Sequence, residues 1–130
     1  MTTKILMVDD EPDAELLFRQ NFRREMRKKK YEFLFAQSGE EALKLLVDAD
    51  QPEVLVVLSD INMPGMNGMD LLDEVKKRWP ALPVFMITAY GDPGTEAKVR
   101  QKGADQLVPK PVDFPSLKAA LAGMVVEAAT

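Results

Sequence analysis

Asp9 and Asp10, Asp60, Thr88 and Lys110 each stand at or just beyond the end of a hydrophobic run: Ile5 to Val8, Val54 to Leu58, Val84 to Ile87 and Gln106 to Val108. Brought to one edge, they would set three carboxylates beside a hydroxyl and an ammonium. Two carboxylates 4 Å apart repel by about 4 kcal/mol at an effective dielectric near 20. If the three converge, solvent, raised pKa values or a bound cation must offset that repulsion. The chain has no His and no Cys, and an oxygen-only cluster suits Mg²⁺, which takes one or two carboxylates and keeps several waters. Singly, each residue has a plainer reading: an Asp as helix cap or turn former, a Thr at a strand end, a Lys as a solvated loop charge. Their conjunction argues for chemistry. A direct phosphate cradle is disfavoured, because the segment Val8-Asp9-Asp10-Glu11-Pro12-Asp13 would repel phosphate unless a metal intervened.

Convergence needs an open α/β sheet, in which ligands sit at the carboxyl ends of the strands. Five β-prone runs alternate with five potential helices, the pattern of a parallel sheet. Ile5 to Val8, Val54 to Leu58 and Val84 to Ile87 are continuously apolar, as central strands covered on both faces must be. Tyr31 to Ala36 and Gln106 to Val108 are weaker and read as edges, with Pro109 suiting a strand end. The first helix is expected to bury Ala14, Leu17, Phe18, Phe22 and Met26, and the second Ala42, Leu45, Leu46 and Ala49. The third carries Leu71, Leu72, Val75 and Trp79, and the fifth Leu117, Leu121 and Met124. Ser38 with Glu41 has capping-box spacing, and Asn67 and Asp113 are N-cap candidates. Residues 93–102 offer only Ala97 and Val99 as anchors, which makes the fourth helix the least firmly held.

The 130 residues suit one domain spanning 1–130, with a core of useful size. With 46% hydrophobic and 29% charged residues the balance is globular, and no apolar run approaches the roughly 20 residues that span a bilayer. The opening Met1 to Asp10 lacks the long apolar region of a signal peptide, and the absence of Cys fits a reducing compartment. A soluble, cytoplasmic protein is expected. A formal charge of −4 disfavours nonspecific nucleic-acid binding. The basic run of Arg23, Arg24, Arg27, Lys28, Lys29 and Lys30 reads first as cations at a helix C-terminus, where the dipole favours them, and second as a binding patch. Met63, Met66 and Met69 read as packing, since thioethers do not suit Mg²⁺.

The constellation Val8-Asp9-Asp10-Glu11, Asp60-Ile61-Asn62-Met63-Pro64-Gly65 with Gly68, Thr88-Ala89 and Lys110-Pro111 resembles the response-regulator receiver domains of two-component signalling. The resemblance runs from about Lys4 to Met124 with the motifs in order. It implies a flavodoxin-like, doubly wound five-stranded parallel sheet of order 2-1-3-4-5 with five helices. It implies Asp60 as phosphoacceptor, Mg²⁺ held by Asp10, Asp60 and the backbone carbonyl of Asn62, and Asp9 acting mainly through water. Thr88 would hydrogen-bond the phosphoryl group and Lys110 would pair with it. Pro64 and Gly68 would shape the loop, and the Lys110–Pro111 bond would be cis. The implied function is a signalling switch, not an enzyme acting on an external substrate. It would be phosphorylated by a sensor histidine kinase or histidine phosphotransfer protein and would slowly dephosphorylate itself. Since the chain has no His, the phosphohistidine must lie elsewhere. Output would pass to an effector domain or protein through helix 4, strand 5 and helix 5, without direct nucleic-acid binding or membrane insertion.

One position departs from the pattern: where many receivers carry an inward-turning aromatic residue on strand 5, this chain has Leu107. A Thr-to-aromatic relay is therefore not expected in its usual form. Asn62 and Tyr90 occupy the positions that govern access of water to the acyl phosphate in the family. Two alternatives compete. A Mg²⁺-dependent hydrolase with an aspartyl-phosphate intermediate would place its nucleophile after strand 1 in a DxD pattern, whereas Asp9 and Asp10 are adjacent. A receiver-fold module that is never phosphorylated would usually lack one of the acidic pair, the phosphoacceptor or the Lys, and all are present.

Overall fold

Apolar residues in unbroken runs leave a strand no face for water, so both faces of the sheet must be covered. The computed structural model describes residues 3–48, 54–61, 65–88 and 93–129. In chain order these form β1 (Thr3–Val8), α1 (Pro12–Asn21), α2 (Arg23–Arg27), β2 (Tyr31–Ala36), α3 (Gly39–Asp48), β3 (Val54–Asp60), α4 (Gly68–Arg78), β4 (Val84–Thr88), α5 (Pro93–Gln101), β5 (Gln106–Pro109) and α6 (Phe114–Ala129). The strands pair in parallel in the order β2-β1-β3-β4-β5, as the resemblance implies.

Period-two alternation divides the core into two layers. Leu6, Val8, Val57, Val84 and Met86 face α3, α4 and α5 through Ala42, Leu46, Leu71, Leu72, Val75 and Val99. Ile5, Met7, Val56, Leu58, Phe85 and Ile87 face the other way, onto Phe18, Phe22, Leu117 and Leu121. The caps lie where their residue types suggest. The Asp70 N–H donates to Asn67 Oδ1 at 2.9 Å and the Ser116 N–H to Asp113 Oδ1 at 3.2 Å. The Glu41 N–H donates to Ser38 Oγ at 3.1 Å, but the Glu41 carboxylate reaches the N–H of Gln37, at 3.5 Å, in place of the reciprocal capping-box bond.

Four expectations are corrected. The described residues form six helices where five were expected, because the chain leaves helical geometry at Phe22 (φ −105°, ψ 13°). That turn packs the Phe22 ring 4.9 Å from Phe33 and 5.9 Å from Phe18, contacts that add to simple area burial. The basic run consequently forms much of α2 and the turn into β2, not the end of one long helix. Leu17 is 46% exposed, since the buried stripe of α1 is centred one position later, on Phe18. Ala97 is exposed, leaving Val99 as the buried anchor among the described side chains of α5. Ala49 lies outside the described residues.

α2 is tied to α6 by Lys118, whose ammonium lies 3.1 Å from the Glu25 carboxylate. Burial alone would raise the Glu25 carboxyl. Its hydrogen bond with its own backbone, the hydrogen bond and charge of Lys118, and the charge of Lys30 outweigh burial and leave it below its ordinary value of 4.5. A depressed carboxyl stabilises the fold above its unfolded pKa and loses that contribution as pH falls through the folded one. Lys118→Met should therefore cost about 1 kcal/mol or less near neutrality, with the gap to the parent closing below the ordinary Glu range. Urea titrations across pH check this, and a gap that stays constant into acid would refute it.

Helix α4 begins hard against β3. The Gly68 N–H donates to the Ile61 carbonyl at 2.8 Å. A Cβ at Gly68 would overlap the Asp60 carbonyl oxygen and lie 2.7 Å from the Ile61 Cα. The glycine is required by close approach, not by backbone conformation. Gly68→Ala is expected to destabilise the protein by about 2 kcal/mol or more, seen as a lower urea midpoint at unchanged slope. An unchanged midpoint would contradict the packing.

Candidate functional site

The parallel register decides which strand ends meet. Val8 pairs with Ser59, so the next residues, Asp9 and Asp60, finish side by side, and Asp60 pairs in turn with Ile87. Backbone bonds continue past the strands: Asp9 N–H to Ala36 carbonyl at 3.0 Å, Ile61 N–H to Ile87 carbonyl at 3.1 Å and Lys110 N–H to Thr88 carbonyl at 2.8 Å. The candidate side chains thus stand on backbone that is itself fixed by the ladder.

The structure brings together Asp9, Asp10 and Asp60, with one carboxylate oxygen from each lying within 4.8 Å of the others. Asp9 and Asp60 are 7% and 4% exposed, so water screens them poorly. The Lys110 ammonium is 3.1 Å from Asp60 Oδ2 and 4.0 Å from Asp9 Oδ2. The Glu11 N–H donates to Asp9 Oδ1 at 2.9 Å. Burial, reinforced by the charges of Asp60 and Asp10, raises the Asp9 carboxyl above its usual value against the opposing Glu11 bond and Lys110 charge. Partial burial pulls the Lys110 ammonium down, but the hydrogen bond and charge of Asp60, with the charges of Asp9 and Glu11, outweigh it and leave Lys110 raised. Three carboxylates and one ammonium carry a formal charge of −2. An oxygen-only donor set with that charge could hold a divalent cation.

Thr88 is buried at the end of β4, opposite Pro109. The Lys110–Pro111 peptide is cis. Leu107 is partly buried and packs on the α3–α5 side of the core, as do Met66 and Met69. Asn62, Met63, Pro64, Ala89 and Tyr90 lie outside the described residues. Two supporting residues escaped the sequence reading. Glu40, in the first turn of α3, accepts the Met66 N–H at 3.2 Å and so braces the segment before α4. Glu11 orients Asp9 through its backbone and adds its charge at Lys110. Glu40 has no local signal, because it acts across 26 positions of sequence, whereas Glu11 stands two positions from Asp9, within the quoted motif.

The family described as response regulator receiver domain matches residues 5–122. The response regulator protein FleR of Pseudomonas aeruginosa is 38% identical over 119 residues, covering 90% of this chain and 23% of that protein. The DNA-binding transcriptional regulator NtrC of Klebsiella pneumoniae is 46% identical over 78 residues, 60% of this chain and 16% of that protein. The chain thus spans a quarter or less of these relatives. Among solved structures, a receiver domain from Clostridium thermocellum superposes with a TM-score of 0.85 at 28% identity, covering 98% of this chain and 97% of that one. The receiver domain of NtrX from Brucella abortus gives 0.79 at 31% identity, over 92% and 96%. With the fold, the converging strand ends and these matches in agreement, the chain belongs to the response-regulator receiver domains of two-component signalling.

Proposed function

We propose that Asp60 accepts a phosphoryl group from a phosphohistidine on a sensor kinase or histidine phosphotransfer protein, with Mg²⁺, and that the domain, read as one unit over 1–130, works in the cytoplasm as a reversible switch. The observation that carries this is the buried Asp60 carboxylate, clustered with Asp9 and Asp10 and paired with Lys110. Asp10, Asp60 and the Asn62 backbone carbonyl would hold the metal and Asp9 would act through water. The bound ion would supply positive charge to the transferring oxygens.

In the forward step an Asp60 carboxylate oxygen attacks phosphorus, the donor's N–P bond breaks, and the bonding pair leaves with the imidazole. Lys110 then exchanges its Asp60 contact for a phosphoryl oxygen, and Thr88 donates its hydroxyl to another. The gain comes from charge positioned before the reaction begins. In the reverse step water attacks phosphorus, the P–O bond to Asp60 breaks, and the carboxylate and phosphate are released. No turnover of an external substrate is involved.

Phosphorylation shifts a two-state equilibrium only by its differential stabilisation of the active state. The α5–β5–α6 face suits output to an effector domain or protein, because Val99 is the one fully buried residue among the described side chains of α5. With Leu107 in place of an aromatic residue, displacement of Thr88 and α5 would carry the signal. No helix among the described residues is long and apolar enough to cross a membrane, and the charge of −4 fits a domain that does not itself grip nucleic acid.

A small phosphodonor with Mg²⁺ should add one phosphoryl mass to the parent and none to Asp60→Asn. Lys110→Ala should slow the gain by about a hundredfold. No modification of the parent under any donor would sink the proposal. Tyr90→Ala should shorten the phosphoryl lifetime several-fold by admitting water, and an unchanged or longer lifetime would remove that role from Tyr90.

A further inference from the structure

At the edge of the sheet opposite Asp60 the chain gathers charge of the other sign. β1 and β2 begin there, with the Thr3 N–H donating to the Lys30 carbonyl at 3.1 Å and Thr3 pairing with Tyr31. α2 leads into this edge. Between it, the end of α1 and α6 lies an open cavity of about 540 Å³ walled by Arg23, Arg24, Arg27 and Lys118, with Glu25 as the one acidic side chain on the wall. Glu25 is already engaged by Lys118 at 3.1 Å. Among the described residues, Arg23, Arg24 and Arg27 have no carboxylate within ion-pair distance, and all three are exposed. Four cations and one carboxylate leave a formal +3 around a concave space in a chain whose total is −4.

The helix-dipole reading accounts for only part of this arrangement. Arg24 and Arg27 stand in the last turn of α2, where the dipole favours cations, but Arg23 opens the helix and Lys118 comes from α6. Guanidinium groups present planar forks that match phosphate oxygens in pairs. The cavity falls in the range of small-ligand sites, about 300–1,000 Å³. No aromatic side chain lines it, so a nucleobase has no ring to stack on, and Gln20 and Asn21 complete it as neutral polar groups. A single phosphate group, with a charge near −2 at neutral pH, would leave part of the +3 unmatched. A linked chain of phosphates would match it.

We propose that the α1–α2–α6 cavity binds a compact polyphosphate, either the inorganic chain or the phosphate tail of a nucleotide, independently of the acid cluster at the other end of the sheet. The ligand would lie across α2 and α6, joining the basic helix to a helix of the face suggested for output.

Calorimetric titration of the full chain carrying Asp60→Asn, in chelator without Mg²⁺, keeps the acid cluster out of the measurement. Inorganic triphosphate and ATP are expected to saturate at one site, orthophosphate to bind more weakly, and adenosine not at all. Binding of triphosphate but not ATP would restrict the ligand to the inorganic chain; the reverse pattern would overturn the phosphate-only recognition. The double variant Arg23→Ala/Arg27→Ala should weaken triphosphate binding about tenfold or more. Its lysine counterpart, which keeps charge and loses the forks, should fall between it and the parent. Lys28→Ala/Lys29→Ala/Lys30→Ala, which lies outside the wall, should change binding no more than a few-fold. Three results would overturn the proposal: no saturation by triphosphate, equal loss from the lysine triple variant and the arginine pair, or tighter binding of a DNA duplex or a glutamate-rich peptide. Thermal melts matching the parent's would show that a loss of binding is not a loss of fold.

Discussion

Three carboxylates within 4.8 Å of one another repel by about 3 kcal/mol per pair at an effective dielectric near 20, and the rest of the fold can be read as what holds them there. The local relief is the Lys110 ammonium, 3.1 Å from Asp60. It arrives from the opposite side of the sheet centre, on the chain beyond β5, and its backbone is fixed by the Thr88 carbonyl. One ammonium does not neutralise three carboxylates. The residual negative charge is what the proposed divalent ion would offset, among residues that cannot move apart.

They cannot move apart because the strands beneath them are clamped between two apolar layers. Leu6 and Val8 face α3 and α4 while Ile5 and Met7 face α1 and α6, so a one-residue slip of β1 would exchange its faces and separate Asp9 from Asp60. The fit between α4 and β3 at Gly68 adds a second restraint on Asp60, through its own carbonyl. α5 contrasts with these elements. Its single buried anchor among the described side chains leaves it less firmly held than the sheet it covers.

The break at Phe22 serves packing and charge together. Turning the chain there buries a second large ring in the cluster with Phe18 and Phe33, and the following residues leave the helix line as α2. Arg23, Arg24 and Arg27 then face one cavity with Lys118 instead of being spread around an extended α1. The molecule is acidic overall yet polarised, with the Asp9, Asp10 and Asp60 cluster at the strand ends and Arg23, Arg24 and Arg27 near the starts of β1 and β2.

Period-two and helical patterning, together with the residues that follow each apolar run, were enough to read the strand runs, the Asn67 and Asp113 caps and the strand-end positions of Asp9, Asp10, Asp60, Thr88 and Lys110, while the receiver fold was legible in the resemblance that the motifs carry. These features are local, or belong to motifs whose order along the chain is itself the signal. The turn at Phe22, the exposure of Leu17 and Ala97, the brace from Glu40 to Met66 and the cavity shared by α2 and α6 were not legible. Each depends on which distant surface a side chain meets. A stripe of apolar residues specifies that a helix has a buried face, but the partner layer decides where that face is centred and where the helix must stop. Likewise a run of basic residues specifies charge, while only the tertiary structure decided that three arginines share one space with a lysine nearly a hundred positions away, because through-space electrostatics depends on distances that chain order does not contain.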